Sequence, residues 1–585
     1  MGHRIIREPK GFRVITEMFE DTAKRIPNRE MARMRRGGKW ISYTYSRAHD
    51  RVRKIAEFLQ KEWGIKKGDM VALVSENRPE WGHAYLGILW AGATVIPLDA
   101  RLGPMERRYL MDFAGVKHVI ASERYVPEML EARKDLGLKG ILSMDEVKEE
   151  GIPSFKDVDE KYTGIDRVEV SPEDLAEILF TSGTTGSPKG VMLTHNNIMS
   201  DLEGVYQVIP IYEDDVFFSI LPLHHVYECT VGFLAPIYIG ARVSYSRSLR
   251  PDHMLQDMKD TRPTVWLTVP LILEKIYTRI IREVSKAPTT RKAIFNVFRS
   301  TAKIPVVGKK LNKRLFKPLH ERLGLDRLKF MVSGGAALPL WVAKGLEELG
   351  FHVIQGYGLS ETSPILTVTP PHDPRLPSVG VPIPGVEIKI FDPNEDGEGE
   401  IAARGPMVMK GYYKNEKATK EVFTEDGWFL TGDIGYMDED GYLYITGRKK
   451  AVIVTKGGKN IYPEEIESKL LESPYIEEIL VFGAKNPQTG DEEVQALVYP
   501  NLDAVREEAH RRGITPDDDF IYNLVQQEIE RLSKDLASYK RVKRFALRYE
   551  EFPKTTTRKI KRHLFKGMYI EPGEKVKDAG IEEKE

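Results

Sequence analysis

Between Leu179 and His195 the chain reads Leu-Phe-Thr-Ser-Gly-Thr-Thr-Gly-Ser-Pro-Lys-Gly-Val-Met-Leu-Thr-His, and no other stretch restricts its fold as tightly. An apolar run, Ala176 to Phe180, precedes the small residues, and another, Val191 to Leu193, follows them. Apolar runs bounded by turn residues predict two strands, so the Gly/Ser/Thr loop is held at both ends. Gly183, Gly186 and Gly190 permit positive φ and close backbone approach, while Thr181, Ser182, Thr184, Thr185 and Ser187 set hydroxyls beside exposed N–H groups. Such a surface suits a polyphosphate. Lys189 adds a point charge, and a threonine hydroxyl can meet a magnesium ion that the phosphate brings. A P-loop needs Gly before its lysine and Ser or Thr after it, whereas Pro188 and Gly190 stand there. A flexible loop without a ligand is the plain alternative.

Strands and helices alternate on either side. A short hairpin around Trp40 to Tyr45 and a helix to about Trp63 come first. Strands Met70 to Ser75, Thr94 to Leu98 and His118 to Ala121 are separated by helices Trp81 to Ala91 and Pro104 to Phe113. The order returns after the loop, with strands Val216 to Leu221, Arg242 to Tyr245 and Thr264 to Val269, and Gly240-Ala241 echoes Gly92-Ala93. This spacing predicts two doubly wound halves packed together, with ligands at the carboxyl ends of parallel strands. Beyond Pro384, alternating runs broken by Asp-Gly turns predict an antiparallel β subdomain. The expected class is α/β: a large N-terminal domain of two doubly wound α/β subdomains plus an antiparallel β subdomain, and a small α+β C-terminal domain.

Lys+Arg 87 against Asp+Glu 87 leaves no net field for nucleic acid, so no nucleic-acid partner is expected. The single cysteine, Cys229, excludes an intrachain disulfide and reads as a core residue in a cytoplasmic protein. The first residues carry no signal-peptide core or myristoylation pattern. Trp81 to Leu98 is long and uncharged enough to raise a membrane span, but His83, Gly92, Thr94 and Pro97 argue for a buried helix running into a buried strand.

Thr181 to Gly190 resembles the signature loop of the adenylate-forming superfamily, which includes acyl-CoA synthetases, aryl-CoA ligases, luciferases and the adenylation domains of peptide synthetases. Further motifs follow in the family's order over nearly the whole chain. Residues 221–228, Leu-Pro-Leu-His-His-Val-Tyr-Glu, resemble a motif with a histidine near the acid pocket, a place taken by His225; a metal pair or a core histidine is the alternative. Gly334-Gly335-Ala336-Ala337 resembles the adenine-binding edge, with Gly334 also at the acid pocket. Gln355-Gly356-Tyr357-Gly358-Leu359-Ser360-Glu361 is similar to the Tyr-Gly-x-Thr-Glu motif, implying that Tyr357 stacks on adenine and that Glu361 and Thr184 hold Mg²⁺.

Thr431-Gly432-Asp433 resembles the short motif whose aspartate holds the ribose hydroxyls. Arg448 and Lys450 match the arginine and hinge that end the large domain, and the loop at Gly457-Gly458 matches one beside the pantetheine channel, though an ordinary strand-turn-helix reads equally well there. Pro553 to Lys559 resembles Pro-x-Thr-x-x-Gly-Lys, which gives the catalytic role to Lys559, with Arg558 where the family has glycine. A non-catalytic basic loop is the other reading.

The resemblance implies a large domain over 1–447, a mobile C-terminal domain over 448–570 and a disordered tail over 571–585. It implies ATP, Mg²⁺ and CoA, activation of a fatty acid as acyl-AMP with release of pyrophosphate, then acyl-CoA and AMP. Thr181, Ser182, Gly183, Thr184, Thr185, Gly186 and Lys189 meet the phosphates, Gln355, Gly356, Gly358 and Ser360 line the nucleotide, and Asp433 and Arg448 meet the ribose. Residues 221–228 and the basic stretch from about Arg282 to Leu328 look most like long-chain fatty acyl-CoA synthetases. A medium-chain or aryl acid, a fatty acyl-AMP ligase serving a carrier protein, and a non-catalytic lipid-binding homologue are the alternatives. Lys309, Lys310, Lys313 and Arg314 read as a solvated face or as a patch for anionic lipid headgroups. A homodimer stays open.

Overall fold

The computed structural model describes residues 2–181, 189–301, 308–454, 460–488, 492–554 and 560–576. A hairpin comes first, β1 (Glu30–Arg36) and β2 (Lys39–Thr44). Then β3 (Met70–Val74), β4 (Thr94–Leu98), β5 (His118–Ala121) and β6 (Gly140–Ser143) alternate with helices, and β7 (Leu175–Thr181) and β8 (Lys189–Thr194) flank the Gly/Ser/Thr loop. A second series runs β9 (Val216–Ser219), β10 (Arg242–Tyr245), β11 (Val265–Thr268), β12 (Phe330–Ser333) and β13 (Val353–Tyr357), ending in the short strands β14 (Thr367–Val368) and β15 (Val381–Pro382). Next are β16 (Glu387–Phe391), β17 (Gly399–Arg404), β18 (Gly411–Tyr412), β19 (Phe429–Met437) and β20 (Leu443–Arg448). The last strands are β21 (Ile453–Val454), β22 (Asn460–Ile461), β23 (Ile476–Lys485), β24 (Glu492–Pro500) and β25 (Arg544–Leu547).

A seven-stranded sheet has the order β18-β8-β7-β4-β3-β5-β6. From β7 to β6 all neighbours are parallel, as unbroken apolar runs such as Met-Val-Ala-Leu-Val require when both faces are covered. The loop's two strands, β7 and β8, are antiparallel, so this sheet is mixed at the edge that carries the loop. A nine-stranded sheet has the order β15-β14-β13-β12-β11-β9-β10-β1-β2 and is parallel from β13 to β1. The opening hairpin thus joins the second sheet, with Ala32 opposite Val243, although it precedes the first in sequence. The hairpin is also longer than the Trp40 to Tyr45 segment predicted, because the Arg-rich β1 lacks an apolar run.

The helix Pro79–Trp90 is buried at every residue, and all of β4 after it is buried. An apolar surface on all sides belongs to a helix inside a large core, which accounts for the uncharged stretch there. Among the described residues no helix is long and apolar enough to cross a membrane. Thr194 ends β8 and caps the helix His195–Val208: its Oγ1 accepts from Asn197 N–H at 3.1 Å, and Asn197 Oδ1 accepts from Thr194 N–H at 2.9 Å. No linker intervenes, so the helix and the base of the loop are fixed together.

Beyond residue 384 a four-stranded sheet has the order β16-β17-β19-β20. Its turns close on Asn394 N–H to the Glu398 carbonyl at 2.8 Å and Asp438 N–H to the Tyr442 carbonyl at 3.0 Å, as Asp-Gly chemistry predicts. By internal packing the chain divides into two units, one of residues 1–389, 402–430 and 438–443, the other of 390–401, 431–437 and 444–585. The second unit holds the sheet β23-β24-β25 and an apolar core that includes Ile466, Leu470, Val481, Val498, Leu524 and Leu547.

Candidate active site

In the first unit the motifs collect at the carboxyl ends of parallel strands. β12 and β13 are in register, Ser333 beside Gln355, so the turn 334–337 and the segment 356–361 leave adjacent strands at the same level. Thr268, at the end of β11, lies beside Ser333, and both hydroxyls are buried without a hydrogen-bond partner among the described residues. Register neighbours on parallel strands share a face, so these orphaned groups form a polar row under the Gly334 turn, which a polar ligand could satisfy.

Gly334 is buried, while Gly335, at φ +82°, Ala336 and Ala337 are exposed. A Cβ on Gly334 would come within 3.0 Å of the Tyr227 ring, and Tyr227 donates from its hydroxyl to the Val332 carbonyl at 3.0 Å. Segment 221–228 is therefore packed against the turn that follows β12. A Cβ on Gly358 would strike the Pro364 carbonyl oxygen at 1.7 Å, so only glycine fits there. Tyr357 is buried, and its carbonyl accepts from Leu366 N–H at 2.8 Å. Gln355 spends its side-chain N–H on the Ser378 carbonyl at 3.2 Å.

Two residues of the first sheet hold the histidine segment. Asn77, three residues beyond β3, accepts from Leu223 N–H at 3.0 Å and donates to the Leu221 carbonyl. Asp99, immediately after β4, has its Oδ2 3.3 Å from His224 Nε2. Burial opposes ionisation of Asp99, yet the His224 contact holds its carboxyl well below the usual range. His225 turns its Nδ1 to the Tyr227 N–H at 3.3 Å. The carboxyl ends of the two sheets thus face each other across this segment. Asn77 and Asp99 carry no motif of their own; their only sequence signal is that each follows a strand end.

The Gly/Ser/Thr loop itself, with Ser182, Gly183, Thr184, Thr185 and Gly186, lies outside the described residues. Its base is described: Thr181 pairs with Lys189, and the Thr181 hydroxyl is 3.5 Å from the Lys189 carbonyl. β18 adds to β8, Tyr412 opposite Val191, and brings Tyr412 between two charged groups. Its hydroxyl donates to Glu361 Oε1 at 2.8 Å, and its ring centroid lies 4.5 Å from the Lys189 ammonium. Met409 N–H donates to the Glu361 carbonyl at 2.8 Å, which fixes the backbone of that residue. Ser360 and Glu361 lie on the 3-10 turn Ser360–Thr362 after β13, so Lys189 and Glu361 come together from two different sheets.

The helix His195–Val208, capped by Thr194, supplies further supports: Asn197 donates to the Pro406 and Val408 carbonyls at 2.7 and 2.9 Å, and Asp201 accepts from Ile365 N–H at 2.9 Å. Cys229 is buried, and burial raises its thiol pKa well above the ordinary value, which makes it core rather than nucleophile.

The second unit carries the remaining motifs. Arg448 Nε is 3.1 Å from Asp433 Oδ1, and Asp433 N–H donates to Thr431 Oγ1 at 3.1 Å. Asp433 is buried and Arg448 half exposed, so the pair presents a carboxylate and a guanidinium side by side, the groups a ribose diol and a phosphate need. Lys450 is exposed on the 3-10 turn Lys449–Ala451. Gly457, Gly458 and Lys559 lie outside the described residues. The flanks of Lys559 close on each other, Lys554 bridging Ile560 and Lys561 N–H donating to the Pro553 carbonyl at 2.9 Å.

Residues 19–413 match the AMP-binding enzyme family, and residues 465–559 match the AMP-binding enzyme C-terminal domain. The long-chain-fatty-acid–CoA ligase 6 of Rattus norvegicus is 33% identical over 484 residues, 76% of this chain and 68% of that protein. The oxalate–CoA ligase of Arabidopsis thaliana is 30% identical over 573 residues, 95% of this chain and 99% of its own. Among solved structures, ATP-bound MatB from Rhodopseudomonas palustris superposes with a TM-score of 0.74 at 26% identity, covering 94% of this chain and 98% of that one. The chain belongs to the AMP-binding, adenylate-forming enzyme family.

Proposed function

We propose that the protein is an ATP-dependent fatty acid:CoA ligase that prefers a long acyl chain. The acid's carboxylate attacks the α-phosphate of ATP, giving acyl-AMP and pyrophosphate, and the CoA thiol then displaces AMP. The observation that carries this reading is the meeting of Lys189 with Glu361 at the base of the Gly/Ser/Thr loop, beside the glycine-rich turns after β12 and β13. A cation and a carboxylate so placed suit a magnesium–triphosphate, which needs charge on both metal and phosphate. The Glu361 carboxylate is a hard oxygen donor and Tyr412 occupies one of its oxygens, so the residue fits a Mg²⁺ ligand, with Thr184 as the second. The bound ion would neutralise the leaving phosphates.

In this reading Thr181, the loop amides and Lys189 hold the phosphates, Tyr357 and residues 334–337 hold adenine, and Asp433 with Arg448 holds the ribose. His225 and Gly334 border the acid, and Lys559 bridges the carboxylate and the α-phosphate. Residues 1–447 would form the binding domain and 448–570 a mobile domain, turning at Lys450, that offers Lys559 for the first step and Gly457-Gly458 for the second. The long acyl chain is favoured by the names of relatives such as the rat enzyme; a small acid is the second reading, favoured by the full-length match to an oxalate–CoA ligase. Pyrophosphate release across acids from two to twenty or so carbons, with and without CoA, separates them: a maximum at long chains supports the first reading, and a maximum at the shortest acids overturns it.

A further inference from the structure

We propose that Tyr412 is a positioning residue that couples the metal-binding carboxylate to the phosphate-binding loop, holding Glu361 by its hydroxyl and Lys189 by its ring face. The inference rests on the function proposed above for Glu361 and Lys189, and it assigns a role to a residue outside every motif read from the sequence. Tyr412 is buried, with 5% of its surface exposed. Its backbone is fixed from both sides. It lies opposite Val191 in the β8–β18 ladder, flanked by Lys410 N–H to the Met192 carbonyl at 3.0 Å and Tyr413 N–H to the Gly190 carbonyl at 2.7 Å, and its own N–H donates to Thr419 Oγ1 at 2.9 Å. The backbone that carries the side chain cannot shift without breaking that ladder.

Two consequences follow from the chemistry. A phenol hydrogen bond to Glu361 Oε1, at 2.8 Å, engages one oxygen and orients the carboxylate, so that the other oxygen is presented in a fixed direction. On the other side, the ring face 4.5 Å from the Lys189 ammonium favours a cation there while leaving its N–H donors for phosphate oxygens. A single rigid side chain with two torsions then sets the distance between the metal ligand and the phosphate ligand. Groups of this kind behind a metal ligand change metal affinity by roughly ten- to a hundredfold when removed.

The test uses the full chain and three variants. Tyr412→Phe keeps the ring beside Lys189 and removes only the hydroxyl; Tyr412→Leu removes both; Glu361→Gln supplies the background for a double-mutant cycle. Mn²⁺ binding, read by electron paramagnetic resonance in the presence of a non-hydrolysable ATP analogue, needs no turnover. Tyr412→Phe is expected to weaken Mn²⁺ at least roughly tenfold. It should raise by a similar factor the Mg²⁺ concentration for half-maximal pyrophosphate release, with kcat recovered at saturating Mg²⁺ and the ATP KM at that Mg²⁺ unchanged. Tyr412→Leu should in addition raise the ATP KM. In the Glu361→Gln background, Tyr412→Phe should change Mn²⁺ affinity less than twofold. Unchanged Mn²⁺ affinity in Tyr412→Phe, or an equal loss with and without the Glu361 carboxylate, would overturn the proposal. If the wild type releases no pyrophosphate with any acid, the proposed function fails on its own, and the Mn²⁺ cycle still decides whether Tyr412 governs metal binding at Glu361.

Discussion

Asn77 Oδ1 accepts a hydrogen bond from Leu223 N–H at 3.0 Å, and through it the carboxyl end of one sheet holds the histidine segment that leaves the other. The same amide donates to the Leu221 carbonyl, so one side chain satisfies two backbone groups of a segment without regular structure. Asn77→Ala should cost about 1–3 kcal/mol of stability, because both groups lose their partner. It should also raise the KM for the acid more than that for ATP, since His225 sits on the released segment. Equal effects on both substrates would show that the segment is only scaffold.

Glu228, the residue after Tyr227, gives a pH prediction. It is fully buried, receives a hydrogen bond from Ser219, and burial pushes its carboxyl up from 4.5 to about 8. A carboxyl whose folded pKa is raised contributes fully below its unfolded pKa, and the contribution is lost as pH rises through the folded value. Stability should therefore fall between about pH 4.5 and about 8, by up to roughly 1.4 kcal/mol per pH unit from this group. Glu228→Gln should flatten that slope in denaturant titrations at pH 5, 7 and 9. A slope the same as wild type would mean that other groups set it.

The two half-reactions should separate by mutation. Lys559→Ala is expected to abolish adenylate formation while sparing thioester formation from supplied acyl-adenylate. Lys450→Pro, which fixes φ at the hinge, should do roughly the reverse. Loss of both half-reactions in the same proportion in both variants, with the fold intact, would contradict the assignment of the two residues to different steps.

A peripheral contact with anionic membrane would use the helix Pro270–Ser285. Lys275, Arg279, Arg282 and Lys286 recur at spacings that put them on one helical stripe, and all are exposed. The next helix, Thr289–Thr301, exposes Ile294 and Val297 at 53% and 60%. Of the four residues first singled out by sequence, Lys313 gives its ammonium to the Leu328 carbonyl at 3.0 Å, and the side chains of Lys309 and Lys310 lie outside the described residues. Replacing Lys275, Arg279 and Lys286 by Glu should abolish co-sedimentation with acidic vesicles, each charge contributing about 1 kcal/mol near such a surface. Binding that is the same for neutral and acidic vesicles would leave the stripe a solvated face.

Much of the fold could be read from local sequence because buried parallel strands announce themselves as apolar runs; Met70–Val74, Thr94–Leu98 and His118–Ala121 lie where those runs do. The family could be read too, since the loop from Thr181 to Gly190 is long and its spacing restrictive. What escaped depends on pairing between distant segments. β1 meets β10 across more than two hundred residues, and Tyr412 reaches Glu361 only because β18 pairs with β8. Gly411-Tyr412-Tyr413 has no periodicity to mark it, and Asn77 and Asp99 look like ordinary polar residues after strands. Local pattern fixes an element; the partner it chooses is a property of the whole core.

The central claim is that ATP is cleaved between its α- and β-phosphates to activate a carboxylic acid. Incubating the protein with ATP labelled at the α-phosphate, Mg²⁺, a long-chain fatty acid and CoA, and separating the products, tests it most directly. The account predicts labelled AMP in equal amount with pyrophosphate and acyl-CoA, and at least a hundredfold less in Glu361→Gln. Labelled ADP with inorganic phosphate, or AMP formation that the Glu361→Gln change leaves intact, would contradict it.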